Sequence, residues 1–394
     1  MLNYFYLYSI VWSIIIFLHS LGWSDICKPM DTRLSLFFIS TILLSMFFGY
    51  VRKERFYFRK LEYLPKNAGK FTSVFVALII FEFIYAKQIP LFAILSGSAG
   101  YTQTFSGIPT YHVFLVCFGK FYTQYLLYLF LSFPKHKEFI VQYFLVLLFG
   151  EILWFSRMGV MICLFMSACM IMSAYRKKIK TKHIVFVFIS CILIIYLFGL
   201  VGNIRSGYNA TNNNMISQFA SINHKWPSWL PKEFIWGYSY CIAPIANLNY
   251  NISANFSTGD PIGMLSVFIP DFIAKRVLPE YSGITHLKSA STTMTVIAGY
   301  GNAYEYGGFL GMIIFYLWSM FGLYIVMRLF LKRQRFFIPG LATITSIIVF
   351  MIYTNTLWFS AVSFPLTFPI LNSLVINYPK GYTIHSNLKR KLVK

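Results

Sequence analysis

Long apolar runs recur along this chain, and they constrain its fold more than any other feature. A helix needs about 20 mostly apolar residues to cross the hydrocarbon core of a bilayer. Runs close to that length predict an all-α, polytopic integral membrane protein with about ten transmembrane helices. The predicted spans are Tyr4 to Gly22, Leu34 to Tyr50, Phe71 to Ala86, Tyr111 to Phe133, Phe139 to Phe155, Met158 to Tyr175, Ile184 to Gly202, Phe309 to Phe330, Phe337 to Thr354 and Trp358 to Ile376. Charged residues make up only 12% of the chain, which is too few to cover the surface of a water-soluble globule.

The stretch from Glu138 to Tyr175 allows two interpretations, one interrupted helix or two separate spans. A single helix would be roughly 57 Å long, which is far more than one crossing requires. The basic clusters PKHKE and RKKIKTKH flank this stretch, and both are expected on the cytoplasmic side, which requires an even number of spans between them. The sequence therefore predicts two spans with a tight turn at Ser156 and Arg157.

The net charge of +22 would indicate a nucleic-acid partner in a soluble protein, but its distribution follows the predicted spans instead. Short segments on one side of the membrane hold about 23 of the 34 Lys and Arg residues, as the positive-inside rule requires for the cytoplasmic face. We therefore expect both termini in the cytoplasm and no nucleic-acid partner.

The predicted spans divide the chain around one large polar segment. Residues 1–202 carry seven spans, 203–308 form a large extracytoplasmic loop, 309–378 carry three spans, and 379–394 form a basic cytoplasmic tail. Within the loop, the apolar pieces Phe234 to Leu248 and Ile262 to Phe272 are interrupted or bounded by Pro244, Pro261 and Pro270. They predict short interfacial or re-entrant helices along the bilayer surface.

Several enzyme classes leave signatures that this sequence lacks. It contains no DxD pair, no GxxxxGK[ST] phosphate loop, no HExxH zinc helix, no GxSxG elbow and no CxxC motif, so we expect chemistry that uses no metal and no cofactor.

Two arginines are predicted at the extracytoplasmic ends of spans. Arg157 lies in FSRMG, between the fifth and sixth spans, and Arg205 lies in GNIRSG, where the seventh span emerges. Two guanidinium groups at one interface can bind a diphosphate through bidentate hydrogen bonds. Alternatively, each arginine reaches from a helix end to lipid head groups.

Proton-transfer candidates lie in the second half of the polar segment. His286, near Lys288 in THLK, exchanges protons near neutral pH. Glu305, in GYGNAYEYGG, is a candidate base or sugar-hydroxyl acceptor, and the alternative is a carboxylate that caps helix amides. His224 has the same chemistry in a less suggestive setting. A lone loop histidine is often only a solvated side chain.

Aromatic residues of the same segment suit stacking on sugar rings. The candidates for sugar binding are Tyr238, Tyr240 and Tyr304, with Tyr300 and Tyr306 beside them. Tyrosine is common throughout this chain, so packing in the core is the alternative for each.

Three ionisable residues are predicted inside spans, where burial of a charge is costly. They are Glu82, Lys120 and Glu151. Each is therefore a functional candidate, and the structural alternative is an ion pair between Lys120 and Glu151 on adjacent helices.

The overall pattern resembles the O-antigen polymerases, the Wzy-type oligosaccharide repeat-unit polymerases of bacteria, and more distantly the O-antigen ligases. The stretches that carry the resemblance are FSRMG, GNIRSG, YSYCIAPIANLNY and TTMTVIAGYGNAYEYGGFLG. The resemblance implies a GT-C-like helical fold in the bacterial inner membrane, with the active site on its periplasmic side. It also implies a metal-independent glycosyltransferase that moves a growing glycan from undecaprenyl diphosphate to an incoming lipid-linked repeat unit.

The same resemblance implies roles for individual residues. Arg157 and Arg205 would stabilise the departing diphosphate, and His286 or Glu305 would activate the acceptor hydroxyl. A protein that regulates chain length is an implied partner, beside the lipid-linked substrates and the membrane lipids. The alternative function is a lipid-linked oligosaccharide flippase or another secondary transporter, which usually shows repeated halves that we do not detect here.

Overall fold

The computed structural model describes residues 2–65, 69–96, 105, 107–205, 213–281, 286–331 and 336–375. Regular secondary structure in these ranges is helical, apart from an antiparallel bridge between Ser24 and Ile222. The α-helices are α1 Tyr4–Ser20, α2 Thr32–Val51, α3 Phe71–Ala86, α4 Pro90–Leu95, α5 Tyr111–Ser132, α6 Glu138–Leu147, α7 Arg157–Ala174, α8 Thr181–Arg205, α9 Asn213–Phe219, α10 Phe234–Ser253, α11 Pro261–Ser266, α12 Asp271–Val277, α13 Gly301–Leu317, α14 Leu323–Val326, α15 Phe337–Phe350, α16 Ser360–Ser363 and α17 Thr367–Val375.

Four helical stretches within the described ranges are long and apolar enough to cross a membrane, judged by length and composition. They are Thr32–Val51, Tyr111–Ser132, Thr181–Leu200 and Gly301–Leu329. Shorter apolar helices accompany them, α1, α3 and α15 among them. The chain therefore has the helical, apolar character of a membrane protein, and the number of spans stays a prediction.

The turn predicted between the fifth and sixth spans is present. Helix α6 continues into a π-helical segment, Leu148–Ile152, and α7 begins at Arg157. Between them Phe155 adopts a positive φ of 54°, a value that side chains rarely allow. The Ser156 amide donates to the Glu151 carbonyl over 3.1 Å, which ends one helix close to the start of the next.

The tenth predicted span, Trp358 to Ile376, contains a shorter apolar helix, Ser360–Leu371, in which the helix type changes. The short helices α16 and α17 are separated by a 3-10 turn, Phe364–Leu366. Pro365 lies inside this turn, and a proline removes one amide donor and disfavours α-helical geometry in the preceding residue. Whether this stretch crosses a membrane stays a prediction.

The chain forms two compact units, each built from separate parts of the sequence. The first unit is Met1–Tyr57, Ile171–Met320 and Thr345–Ser363, and the second is Phe58–Met170, Phe321–Ile344 and Phe364–Lys394. The first unit has an aromatic core, in which the Trp12 ring stacks on Phe38 with centroids 4.5 Å apart. Hydrogen bonds join its hydroxyl groups, with Tyr8 and Tyr300 oxygens 2.8 Å apart.

Helix α10 is a central element of the first unit, and it differs from the interrupted interfacial helix that its sequence predicts. The helix runs through Pro244, and most of its residues are buried. The Pro244 carbonyl accepts the amide of Ala298 over 3.1 Å. Burial against several neighbours stabilises the helix by more than the one backbone bond that proline removes.

Candidate active site

The structure joins the two residues that the sequence offered as alternative bases. The Nδ1 atom of His286 lies 2.9 Å from Oε1 of Glu305, and the His286 backbone amide donates to the same oxygen over 2.8 Å. The Glu305 side chain is fully buried, whereas 60% of the His286 side chain is exposed. A buried carboxylate therefore holds an exposed imidazole, and an ionised carboxylate, which only accepts hydrogen bonds, would pair with the tautomer that carries its hydrogen on Nδ1.

A kink in α13 places Glu305. Gly308 has φ 55° and ψ −147° inside the helix, a conformation that is open almost only to glycine. The kink leaves the Glu305 carbonyl for outside donors, and it accepts the Thr258 amide over 2.7 Å. The Thr258 and Ser257 hydroxyls donate to the same carbonyl over 3.0 and 3.1 Å. The segment around Thr258 thus fixes the turn of helix that carries Glu305.

Two buried asparagines of α10 hold the chain that follows His286. Asn251 accepts the Lys288 amide over 2.9 Å and donates to the Lys288 carbonyl over 2.7 Å. One helical turn earlier, Asn247 accepts the Ala290 amide over 2.8 Å and donates to the Met294 carbonyl over 2.6 Å. Because these bonds satisfy an irregular buried backbone, they fix the segment that leads away from His286.

The residues after His286 alternate between solvent and core. His286 and Lys288 are exposed, whereas Leu287 is buried and lies close to Gly301 at the start of α13. Leu287 therefore anchors the segment while the imidazole and the Lys288 ammonium remain accessible. A neutral imidazole with hydrogen on Nδ1 presents Nε2 as a proton acceptor, and the nearby cation favours an anionic ligand.

The loop before α11 is tied to the same region. Asp260 caps α11 by accepting the amides of Ile262 and Gly263 over 2.9 and 3.2 Å. The Tyr281 hydroxyl and these amides hold the pKa of Asp260 below its usual value. The Tyr281 ring also packs edge-on against Tyr306, with centroids 5.8 Å apart. These contacts support the segment that carries Thr258.

The two arginines of the predicted diphosphate clamp are placed only by their backbones. Arg157 is the first residue of α7, and Arg205 is the last residue of α8. Their side chains lie outside the part of the chain that the structure describes, and they belong to different compact units. The clamp therefore stays a prediction.

The three tyrosines proposed for sugar binding pack against protein groups. The Tyr238 hydroxyl accepts the Trp23 amide over 3.2 Å, and its ring is buried. The Tyr240 ring stacks on Tyr353 with centroids 5.9 Å apart. The Tyr304 ring is buried against Phe309. Of the three, only Tyr240 is partly exposed, and the structure brings none of them into a described contact with His286.

The ionisable residues His224 and Arg33 of the first unit are also exposed. His224 lies in a turn after α9. The Arg33 guanidinium pairs with Asp31 over 2.9 Å, donates to Asn255 over 2.8 Å, and lies over the Phe309 ring. Most donors of Arg33 are therefore engaged, and it joins the start of α2 to the turn after α10.

The ion pair expected inside the spans is present in the second unit. Lys120 Nζ lies 2.8 Å from Glu151 Oε1, and both side chains are buried. Glu82 is fully buried as well, with Oε1 at 3.3 Å from Nδ1 of the partly exposed His112. The carboxylate of Glu151 also lies against Gly159 in the first turn of α7, where a methyl group would overlap it. The second unit thus holds two acid–base pairs on neighbouring helices.

Sequence reasoning missed the residues that support the candidate site, chiefly Asn247, Asn251 and Thr258. The four-residue spacing of the two asparagines in NLNYN places both on one helix face. This spacing is the sequence feature that indicates a shared role for Asn247 and Asn251. No protein-family model, curated protein or solved structure matches the chain.

Proposed function

We propose that the protein is a polymerase of a bacterial surface polysaccharide, such as O-antigen or capsule. It transfers the growing glycan from undecaprenyl diphosphate to an incoming lipid-linked repeat unit. The observation that carries the proposal is the fully buried Glu305 carboxylate, 2.9 Å from the exposed imidazole of His286. A carboxylate that orients a histidine supports general-base activation of a hydroxyl.

In this proposal His286 acts as the base and Glu305 orients it. Nε2 of His286 accepts the proton of the acceptor sugar hydroxyl as that oxygen attacks the anomeric carbon of the donor glycan. The bond between the anomeric carbon and the diphosphate oxygen breaks, and its electron pair leaves with the diphosphate. Glu305 stabilises the imidazolium that forms, because its negative charge is buried and close to Nδ1.

The leaving diphosphate requires cations where its charge develops. We assign this role to Arg157 and Arg205, with Lys288 as an accessible cation beside the base. The proposed function also relies on the predicted topology, in which about ten spans cross the membrane, both termini lie in the cytoplasm and the active site lies on the periplasmic side. Tyr240, which is partly exposed, is the better supported of the sugar-stacking candidates, and a chain-length regulator is the proposed partner.

The proposal is tested in the native bacterium by the size of lipid-linked glycans after gene deletion and complementation. Deletion is expected to leave single repeat units on the extracytoplasmic side, because delivery of lipid-linked repeat units continues while their polymerisation stops. Arg157→Ala and Arg205→Ala are expected to reproduce the deletion, and the matched variants Arg157→Lys and Arg205→Lys keep the charge but lose bidentate binding. Normal chain length in either alanine variant, with wild-type protein abundance, would remove that arginine from the mechanism.

A second candidate function is a proton-coupled lipid-linked oligosaccharide flippase. The observation that favours it is the group of buried ionisable residues in the second unit, where Lys120 pairs with Glu151 and His112 with Glu82. Ionisable groups inside spans often belong to ion or proton pathways. The deletion separates the two functions, since a lost flippase would leave no repeat unit on the extracytoplasmic side.

A further inference from the structure

The second unit contains an apolar cavity that the proposed chemistry does not use. Its volume is about 360 Å³, which is within the range of sites that bind small molecules. The residues around it share aromatic or aliphatic character, and none of them is charged. They include Phe75 and Leu78 of α3, Leu115, Phe118 and Tyr125 of α5, and Phe336. Such a lining selects a hydrocarbon ligand.

One wall of the cavity is a ladder of aromatic rings along α5. Phe114 and Phe118 lie parallel, with centroids 6.0 Å apart, and Phe118 and Tyr122 follow at 5.4 Å. The spacing of four residues places these rings above one another on a single helix face. The Tyr122 hydroxyl is hydrogen-bonded to Thr72 over 3.0 Å, so the wall presents ring faces and edges.

The floor and the mouth of the cavity differ in exposure. Phe75 and Leu115 form a buried floor, whereas Phe71, Val74 and Phe114 are exposed at its edge. Exposed apolar side chains around a concave opening are unfavourable in water and favourable in lipid. In a membrane-inserted protein the cavity therefore opens sideways into the hydrocarbon.

The dimensions of the cavity match one leaflet. From Phe114 to Tyr125 the wall extends along α5 by roughly 16 Å, at about 1.5 Å per residue. Half of a bilayer core is about 15 Å thick. A single acyl chain of one leaflet fits this length, whereas an undecaprenyl chain exceeds it.

A cation contacts the residue that follows the lining residue Phe336 in the chain. Phe336 packs against Tyr125 with centroids 4.8 Å apart, and the exposed Arg59 guanidinium lies 5.8 Å from the ring centre of Phe337. The Tyr128 hydroxyl donates to the Arg59 carbonyl over 2.7 Å, which holds the backbone there. Arginine recognises phosphate groups through paired donors.

We infer that this cavity binds one acyl chain of a membrane phospholipid, whose phosphate lies towards Arg59. The inference rests on membrane insertion and is independent of the proposed glycosyl transfer. The site takes the chain sideways from the bilayer, between α3 and α5.

The experiment uses the full-length protein in phospholipid nanodiscs with a phosphatidylglycerol that carries a diazirine in its acyl chain. After photolysis, peptide mapping is expected to find the adduct concentrated on residues 114–125. Leu78→Trp places a large ring in the cavity, and we expect roughly tenfold less labelling there, equivalent to losing the burial of about two methylene groups. The matched control Ile80→Trp, at an exposed position of the same helix outside the lining, should label as the wild type does.

A second variant tests the phosphate contact without altering the core of the second unit. Arg59→Ala is expected to lower labelling about threefold without loss of folded protein, because it removes one phosphate contact at an exposed position. Equal labelling of Leu78→Trp and Ile80→Trp, or adducts spread evenly over the exposed apolar face of α8, would overturn the inference. Displacement of the phospholipid by an equimolar polyprenyl phosphate would also overturn it, in favour of an isoprenoid occupant.

Discussion

The substitution Glu305→Gln tests whether the buried carboxylate acts through His286. Glutamine has nearly the same shape, so its carbonyl oxygen can still accept both His286 donors, which now lie 2.8 and 2.9 Å from Oε1. What the variant loses is the negative charge. Glu305→Ala is a poorer choice, because it would leave a cavity and an unsatisfied His286 amide at a fully buried position.

The expected loss of transfer rate follows from the difference in free energy between charged and neutral hydrogen bonds. A charged partner contributes about 1.5–3 kcal/mol, roughly twice the value of a neutral one. The difference is therefore about 0.8–1.5 kcal/mol. If it appears when the imidazolium forms, the transfer rate falls about 4- to 12-fold, since about 1.4 kcal/mol corresponds to a factor of ten. Removal of the base itself in His286→Gln is expected to cost about 10²- to 10⁴-fold.

The assay is the initial rate of glycan extension by purified protein in proteoliposomes that contain synthetic lipid-linked repeat units. Because Glu305 acts through His286, the double variant His286→Gln/Glu305→Gln should be no slower than His286→Gln alone. His224→Gln is the matched control and should retain the wild-type rate. The reasoning is refuted by a wild-type rate in Glu305→Gln, or by additive losses in the double variant.

Three further substitutions test the supporting structure, each by thermal unfolding in detergent with the wild type in parallel. Asn251→Ala should lower the free energy of unfolding by about 1–3 kcal/mol, because it leaves the Lys288 amide and carbonyl without their buried partner, and an unchanged transition temperature would contradict this. Gly308→Ala should cost about 1–3 kcal/mol, since its backbone conformation is nearly restricted to glycine, and a stabilised protein would be the contrary outcome. Lys120→Met should lower the free energy of unfolding by about 3–5 kcal/mol, because it leaves the Glu151 carboxylate buried and unpaired. Adding Glu151→Gln should restore most of this loss. Failure of this rescue would argue against the ion pair.

Some helix bounds follow closely from local sequence. The third predicted span, Phe71 to Ala86, coincides with α3, because Gly69 and Lys70 precede the apolar run and Lys87 ends it in a left-handed conformation. The bounds within the run from Trp358 onward were harder to predict, because apolar composition says nothing of backbone geometry. There Pro365 lies in the 3-10 turn Phe364–Leu366, between α16 and α17.

For the candidate site, the sequence predicted the residue types but not their arrangement. The sequence singled out His286 and Glu305 by residue type, but as alternatives, and their pairing is a contact between residues 19 positions apart in the chain. The hydrogen bonds of Asn247 and Asn251 reach segments about 40 residues away in the chain. Such long-range contacts are set by the packing of α10, and a single sequence carries no direct signal for them.

The central claim, that the protein joins lipid-linked repeat units with His286 as the base, is tested most directly in a reconstituted reaction. Purified protein in proteoliposomes receives one defined lipid-linked repeat unit, and the products are sized by mass spectrometry. The account predicts glycans of two or more repeats together with free undecaprenyl diphosphate, at a rate about 10²- to 10⁴-fold lower in His286→Gln. Unextended repeat units with the folded wild-type protein, or an unchanged rate in His286→Gln, would contradict it.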